Sequence, residues 1–401
     1  MTEVASAPAS FNPYDYKFHE DPYPTYSWLR EQVPIYHNED IGFWALSRYE
    51  DVDAAFRDAR RLSSANGVSL DPAAYGPHAE KTMSFLAMDD PRHKRMRSLV
   101  SRGFTPRRVR ELEGRILELT RQHLETALAD REFDFIAEFA GKLPMDVISE
   151  LIGVPVRDRD WVRGLADAVM HREEGVLDVP ASAADAAMKL VQYYADMVEQ
   201  RRSRRTEDLT SALLDAEIDG DRLTEDEIIG FLFLMVVAGN ETTTKLLGNA
   251  LYWGWHNPDQ LAKPFADPER IPDWIEETLR YDTSSQIIVR TVAEDLEYYG
   301  HTVPAGDRMV LLPGSANRDE RAFTNADDFD LDRDRSKQIA SFGSGSHFCL
   351  GAHLARLEAR IALTELIGRV SSYEIDIAGA QRVHSTNVRG FATLPVRMEA
   401  T

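Results

Sequence analysis

From Thr224 to about Trp255 no proline interrupts the chain, and the first half of this stretch is apolar on every side. That pattern predicts a long helix running through the core, opened by the capping box Thr224-Glu225-Asp226-Glu227. At 1.5 Å per residue it spans roughly 45 Å. In its middle the pattern changes to Ala238-Gly239-Asn240-Glu241-Thr242-Thr243-Thr244. Glycine, asparagine and consecutive threonines weaken a helix, so this point is a candidate functional position. The threonines can also bond back to carbonyls and bend the helix.

Amphipathic periodicity predicts further helices over residues 27–32, 111–130, 134–152 and 156–200, the last with a break at 175–180. Leu350, Leu354, Leu357 and Ile361 mark one more, beginning after Gly351. Residues 42–47 and 296–310 read as short strands, the latter punctuated by Gly300 and Pro304-Ala305-Gly306. Residues 62–89 carry turn signals and no period, and so long an irregular stretch in a compact domain is usually functional or disordered. Residues 1–12 read as a frayed tail, and 201–205 as a solvated basic loop.

Composition narrows the classes. Hydrophobic residues at 43% suffice for a large core, and a net charge of −21 argues against nucleic acid and anionic membrane surfaces as partners. Residues 1–12 lack the pattern of a signal peptide, and the longest apolar run, 228–238, is too short to span a bilayer. A cytoplasmic protein is expected. Against the acidic background, 92–110 holds eight Lys and Arg and no acid. Such a patch is either a solvated face or a surface that steers an acidic partner.

Cys349 is the only cysteine, which rules out an intrachain disulfide or a multi-cysteine metal site. It lies among Gly343, Gly345 and Gly351 where a helix starts, a setting whose N–H groups and dipole favour a thiolate. An isolated cysteine is more often a buried core residue; a thiolate in a glycine-rich loop is suited to ligating haem iron.

The string Phe342-x-x-Gly345-x-His347-x-Cys349-x-Gly351 resembles the haem-binding signature of the cytochrome P450 family. The resemblance extends along nearly the whole chain. It implies one domain over residues 1–401, mainly α with small β-sheets in the family's triangular-prism fold, binding one b-type haem through Cys349. It also implies cofactor contacts from Phe342, His347, Gly351, Arg290 and the pair His93 and Arg97, which share a helix face. Glu241 and Thr242 resemble the family's acid–threonine pair, which relays protons and orders water for oxygen activation. Glu277 and Arg280 resemble its structural ion pair. Where the family usually has proline, this chain has Ser284.

The implied activity is a monooxygenase that inserts one atom of dioxygen into a lipophilic small molecule, by hydroxylation or epoxidation. Electrons would come from a separate ferredoxin and its reductase, and a soluble bacterial monomer is expected. The expected pocket is lined by Phe85, Leu234, Val237, Ala238, Gln286, Ile287, Ile288 and Val388, with the tip of a C-terminal hairpin entering it. The alternatives are a peroxide-driven peroxygenase, against which Glu241 and Thr242 speak, and a non-catalytic haem sensor.

Overall fold

A computed structural model describes residues 10–104, 110–173 and 176–401. The expected long helix is its axis: Glu225–His256, 32 residues, unbroken through Gly239 and capped reciprocally by Thr224 and Glu227. Most of its length is buried, and Ala181–Ser203, Lys142–Ile152, Val156–Met170, Ile271–Tyr281 and Ala352–Ile367 pack around it. Lys142–Ile152 ends at Gly153, whose φ of +92° suits glycine. A Cβ there would also lie 2.1 Å from an Asp208 carboxylate oxygen.

The strands form small sheets on the flanks of this helical body. The largest has five, in the order Ile35–Asn38, Phe43–Leu46, Arg308–Leu311, Ile288–Val292 and Leu62–Ser63. A second joins Val370–Ile375, Pro395–Ala400 and Glu132–Asp134. The mainly helical fold with small sheets is thus as expected. Among the described residues, no helix is long and apolar enough to cross a membrane.

Several expectations need correcting. Residues 1–9 of the predicted tail lie outside the described residues, as do 105–109 of the basic segment and Gly175 at the predicted break. Phe11, however, is fully buried against Phe18, Tyr36 and Phe43, so residues 10–12 belong to the fold. Residues 201–205 are not a loose basic loop: the helix runs to Ser203, and Arg201 reaches Asp208 at 2.5 Å.

The irregular 62–89 stretch contains only short turns and the four-residue helix Glu80–Met83. It is held down by Asp71, which takes Arg172 at 2.7 and 3.2 Å with both side chains buried.

Candidate functional site

Cys349 lies between two elements that differ in kind. Before it, the 340–348 segment folds as two tight turns, Ala340–Phe342 and Gly345–His347, and the Cys349 N–H donates to Phe342 O at 2.9 Å. Gly345 has φ +70°, and a Cβ there would lie 3.0 Å from Phe56 O, so both conformation and space call for glycine. After it, the final helix begins at Ala352.

The Glu277–Arg280 pair anchors this loop from behind. The two side chains meet at 2.7 and 2.9 Å, nearly inaccessible to solvent. Arg280 also donates to the carbonyls of Asn317, Ala326 and Asp328, and Arg333 closes on Glu277 at 3.1 Å. Asn317 in turn accepts from Ala340 N at 2.7 Å and donates to Ser341 Oγ at 2.8 Å. The ion pair therefore fixes the segment from which the cysteine loop springs.

The sulfur faces a cavity of about 260 Å³ between the final helix and the long helix. Burial pushes the Cys349 thiol above its ordinary range; the N–H groups of Gly351 and Ala352, with Arg97 and Arg356, pull the other way but lose. The helix-start argument for a free thiolate thus has the right sign and too small a size. A metal ion supplies what is missing, since coordination expels the thiol proton.

Around the same cavity the structure gathers cations that have no carboxylate. Arg290 is buried, with one N–H on Val289 O, and burial lowers its pKa to about 10. Arg97 donates to Phe348 O at 2.6 Å, leaving Nη1 without a partner, as is His93 Nε2. Among the described residues neither arginine has an ion pair. His347, its ring 4.1 Å from that of His93, is lowered to about 3 by burial and then by the charges of Arg290, His93 and Arg97. Unpaired buried cations are costly; two haem carboxylates would remove that cost. Phe342 and Gly351 complete the wall, with Arg356 stacked 4.4 Å from the Phe342 ring centre. The predicted cofactor residues therefore converge, and they fit a haem.

The rest of the wall is mainly apolar. Phe85, Leu234, Ala238 and Ile288 line it as expected, and Thr242 faces it. Four predicted pocket residues do not. Val237 is turned into the helical core, and Ile287 points the opposite way from Ile288 into a cluster with Phe11 and Tyr26. Gln286 spends its amide on Tyr26 OH and Thr283 O. Val388, at the hairpin tip, lines a different cavity, because the tip pairs with residues 284–286 instead of entering the pocket.

Three further residues were missed by the sequence reading. Ile148 and Leu246 add apolar wall. Glu358, on the final helix, lines the cavity with a buried carboxyl that burial raises well above the usual range and whose Oε2 has no partner. Its position in the helix that follows Cys349 was the available signal.

Glu241 and Thr242 are separated. Thr242 Oγ1 donates to Ala238 O at 2.8 Å, the back-bonded arrangement, and its carbonyl accepts from Ser284 Oγ at 2.8 Å. Glu241 faces a second, polar cavity, 3.1 Å from Lys245 Nζ. Thr243 lines the cysteine cavity alongside Thr242.

A family model described as Cytochrome P450 matches residues 271–399. Cytochrome P450 123 of Mycobacterium tuberculosis is 61% identical over 389 residues, 97% of either chain. Vitamin D(3) 25-hydroxylase of Pseudonocardia autotrophica is 38% identical over 95% of this chain and 94% of its own. Among solved structures, the Bacillus subtilis 168 polyketide-synthase cytochrome P450 PksS superposes with a TM-score of 0.88 at 33% identity, covering 97% of this chain and 100% of that one. With a cysteine loop, a cation cluster and relatives of this similarity, the chain belongs to the cytochrome P450 family.

Proposed function

We propose that this haem monooxygenase inserts one oxygen atom of dioxygen into a lipophilic small molecule, by hydroxylation or epoxidation, with electrons from a separate ferredoxin and its reductase. The carrying observation is the cavity: one sulfur at its floor, unpaired cations at its side, and Phe85, Leu234, Ile148 and Leu246 facing inward. When bound, the haem supplies reductive activation of dioxygen, and a thiolate ligand favours O–O cleavage.

This chain's residues do the rest. Cys349 holds the iron; Arg97, Arg290, His93 and His347 hold the carboxylates; Phe342 and Gly351 shape the wall. The apolar residues exclude water and bind substrate by burial. Thr242, with its proton on Ala238 O, has lone pairs left to accept from a water and so to orient it. The relatives named for vitamin D(3) hydroxylation and polyketide biosynthesis support a lipophilic substrate.

Docking of the electron donor is proposed for the basic helix Arg92–Gly103, where Lys94 and Arg102 are exposed. Its charge is smaller than the sequence suggests. Arg95 is bound by Asp221 and Glu227, Arg92 by Glu80, and Arg97 points at the haem site.

The test begins with a screen of lipophilic compounds for shifts of the haem spectrum. A hit is then turned over with a surrogate ferredoxin under isotopically labelled dioxygen. One labelled oxygen in the product is expected. Turnover only with added peroxide, or label from water, overturns the proposal.

A further inference from the structure

The second cavity, about 620 Å³, lies across the long helix from the cysteine. Glu241 and Lys245, four residues apart and therefore on one helix face, project into it, each about 5% exposed. From the facing helix Val156–Met170 comes Asp167, which is accessible to water through the cavity. Asp167 and Glu241 are joined by a side-chain hydrogen bond, and Asn240 Nδ2 reaches Asp167 Oδ1 at 3.5 Å. Two carboxyl groups can share a hydrogen bond only if one carries a proton.

The other charged groups facing this pair are largely committed elsewhere. Lys245 is shared between Glu241 and Phe391 O, Arg163 pairs with Asp160, and Arg382 with Asp282. Glu20, His171 and His384 complete the titratable lining. Asp167 keeps its proton to higher pH than an ordinary carboxyl. Desolvation is the first cause, and the hydrogen bond to and charge of Glu241 follow; Lys245 and Arg163 oppose them. Water in the cavity tempers the desolvation, since it wets Asp167.

Resting on the haem-monooxygenase reading, we propose that Asp167 is the port through which protons from this cavity reach Glu241. The accessible member of the pair loads from water, and its proton crosses to the buried Glu241 carboxylate. Asp167 then reloads from the cavity, so protons balance at each transfer. Asp167 acts through Glu241 and is a positioning residue; it touches neither substrate nor haem. The arrangement also accounts for Glu241 facing away from Thr242: it takes protons on one side of the helix and delivers them on the other.

Two measurements on the holoenzyme test this. Infrared pH titration should show a protonated-carboxyl stretch persisting above the usual carboxylate range, and Asp167→Asn and Glu241→Gln should each remove it. The second assay reduces dioxygen with a surrogate ferredoxin system, without substrate, and reads hydrogen peroxide released per electron in light and heavy water. Asp167→Asn should slow water formation by roughly 10²-fold, the lower end for a positioned proton donor, and raise peroxide and the solvent isotope effect. Asp167→Glu should restore all three.

If Thr242→Ala raises peroxide while Asp167→Asn matches wild type, the port is overturned and the monooxygenase reading stands. If neither changes the peroxide yield, the relay part of that reading fails with it. A missing infrared band in wild type also overturns the port.

Discussion

Two groups of buried arginines in this molecule look alike in sequence and differ in what surrounds them. Arg280 and Arg333 close on Glu277, and Arg280 spends its remaining donors on three backbone carbonyls. Arg97 and Arg290 sit at a comparable depth around the cysteine cavity with no ion pair among the described residues, Arg97 with a buried donor left over. A buried charge is tolerated when paired and costly when not. The first group is therefore complete as folded, and the second requires an anion that the chain does not supply. The difference separates architecture from cofactor binding without reference to any relative.

The strongest way to break that comparison is through Glu277. Glu277→Gln leaves Arg280 and Arg333 buried without a carboxylate, and breaking such a pair typically costs about 3–5 kcal/mol. A fall of that size in denaturant-unfolding free energy is expected, with the meander at 317–333 and the cysteine loop the first to lose order. An unchanged unfolding midpoint would show that the matched network is not structural.

Arg290→Met should behave in the opposite way. It removes an unpaired buried cation and keeps side-chain volume, so the fold should survive with an unchanged helical spectrum. What should weaken is haem retention. Hydrogen bonds to charged groups contribute about 1.5–3 kcal/mol, so haem transfer to a scavenger protein should quicken about 10- to 100-fold. Wild-type retention would mean that Arg290 does not hold a carboxylate.

How far the sequence alone could go follows from the same distinction. The cysteine loop, the capped long helix, the Glu277–Arg280 pair and the His93–Arg97 face were legible because each is local: fixed spacing, a cap, or residues four apart. The pocket was legible only in part. Ile288 and Arg290 share one side of a strand, which would have placed Ile287 on the other; the strand's start at Ile288 was not foreseen. Gln286 is withheld by Tyr26, 260 residues away, and no local pattern encodes that. Glu241 faces Asp167, 74 positions earlier, through the packing of two helices. Side-chain direction set by distant partners is the information that a single sequence does not display.

The smallest effect sharpens the comparison at the surface. Arg95 and Arg102 lie seven residues, about two turns, apart on one helix and so face nearly the same way. Arg95 is held by Asp221 at 2.6 and 2.8 Å and by Glu227 at 2.6 Å; Arg102 is exposed and has no ion pair among the described residues. Arg95→Glu sets an acid against two others and should cost about 1 kcal/mol of stability, the scale of a half-exposed pair. Reduction by ferredoxin should change little.

Arg102→Glu should leave stability within about 0.5 kcal/mol and slow reduction a few-fold at low salt. That deficit should shrink as ionic strength rises, because screening removes steering at distances beyond the Debye length. Lys94→Glu on the same helix should add to it. Stopped-flow reduction across a salt series, with chemical unfolding of each variant, separates the two arginines. If Arg102→Glu and Lys94→Glu both keep the wild-type rate and salt slope, this helix does not dock the donor, and its free cations are only solvated.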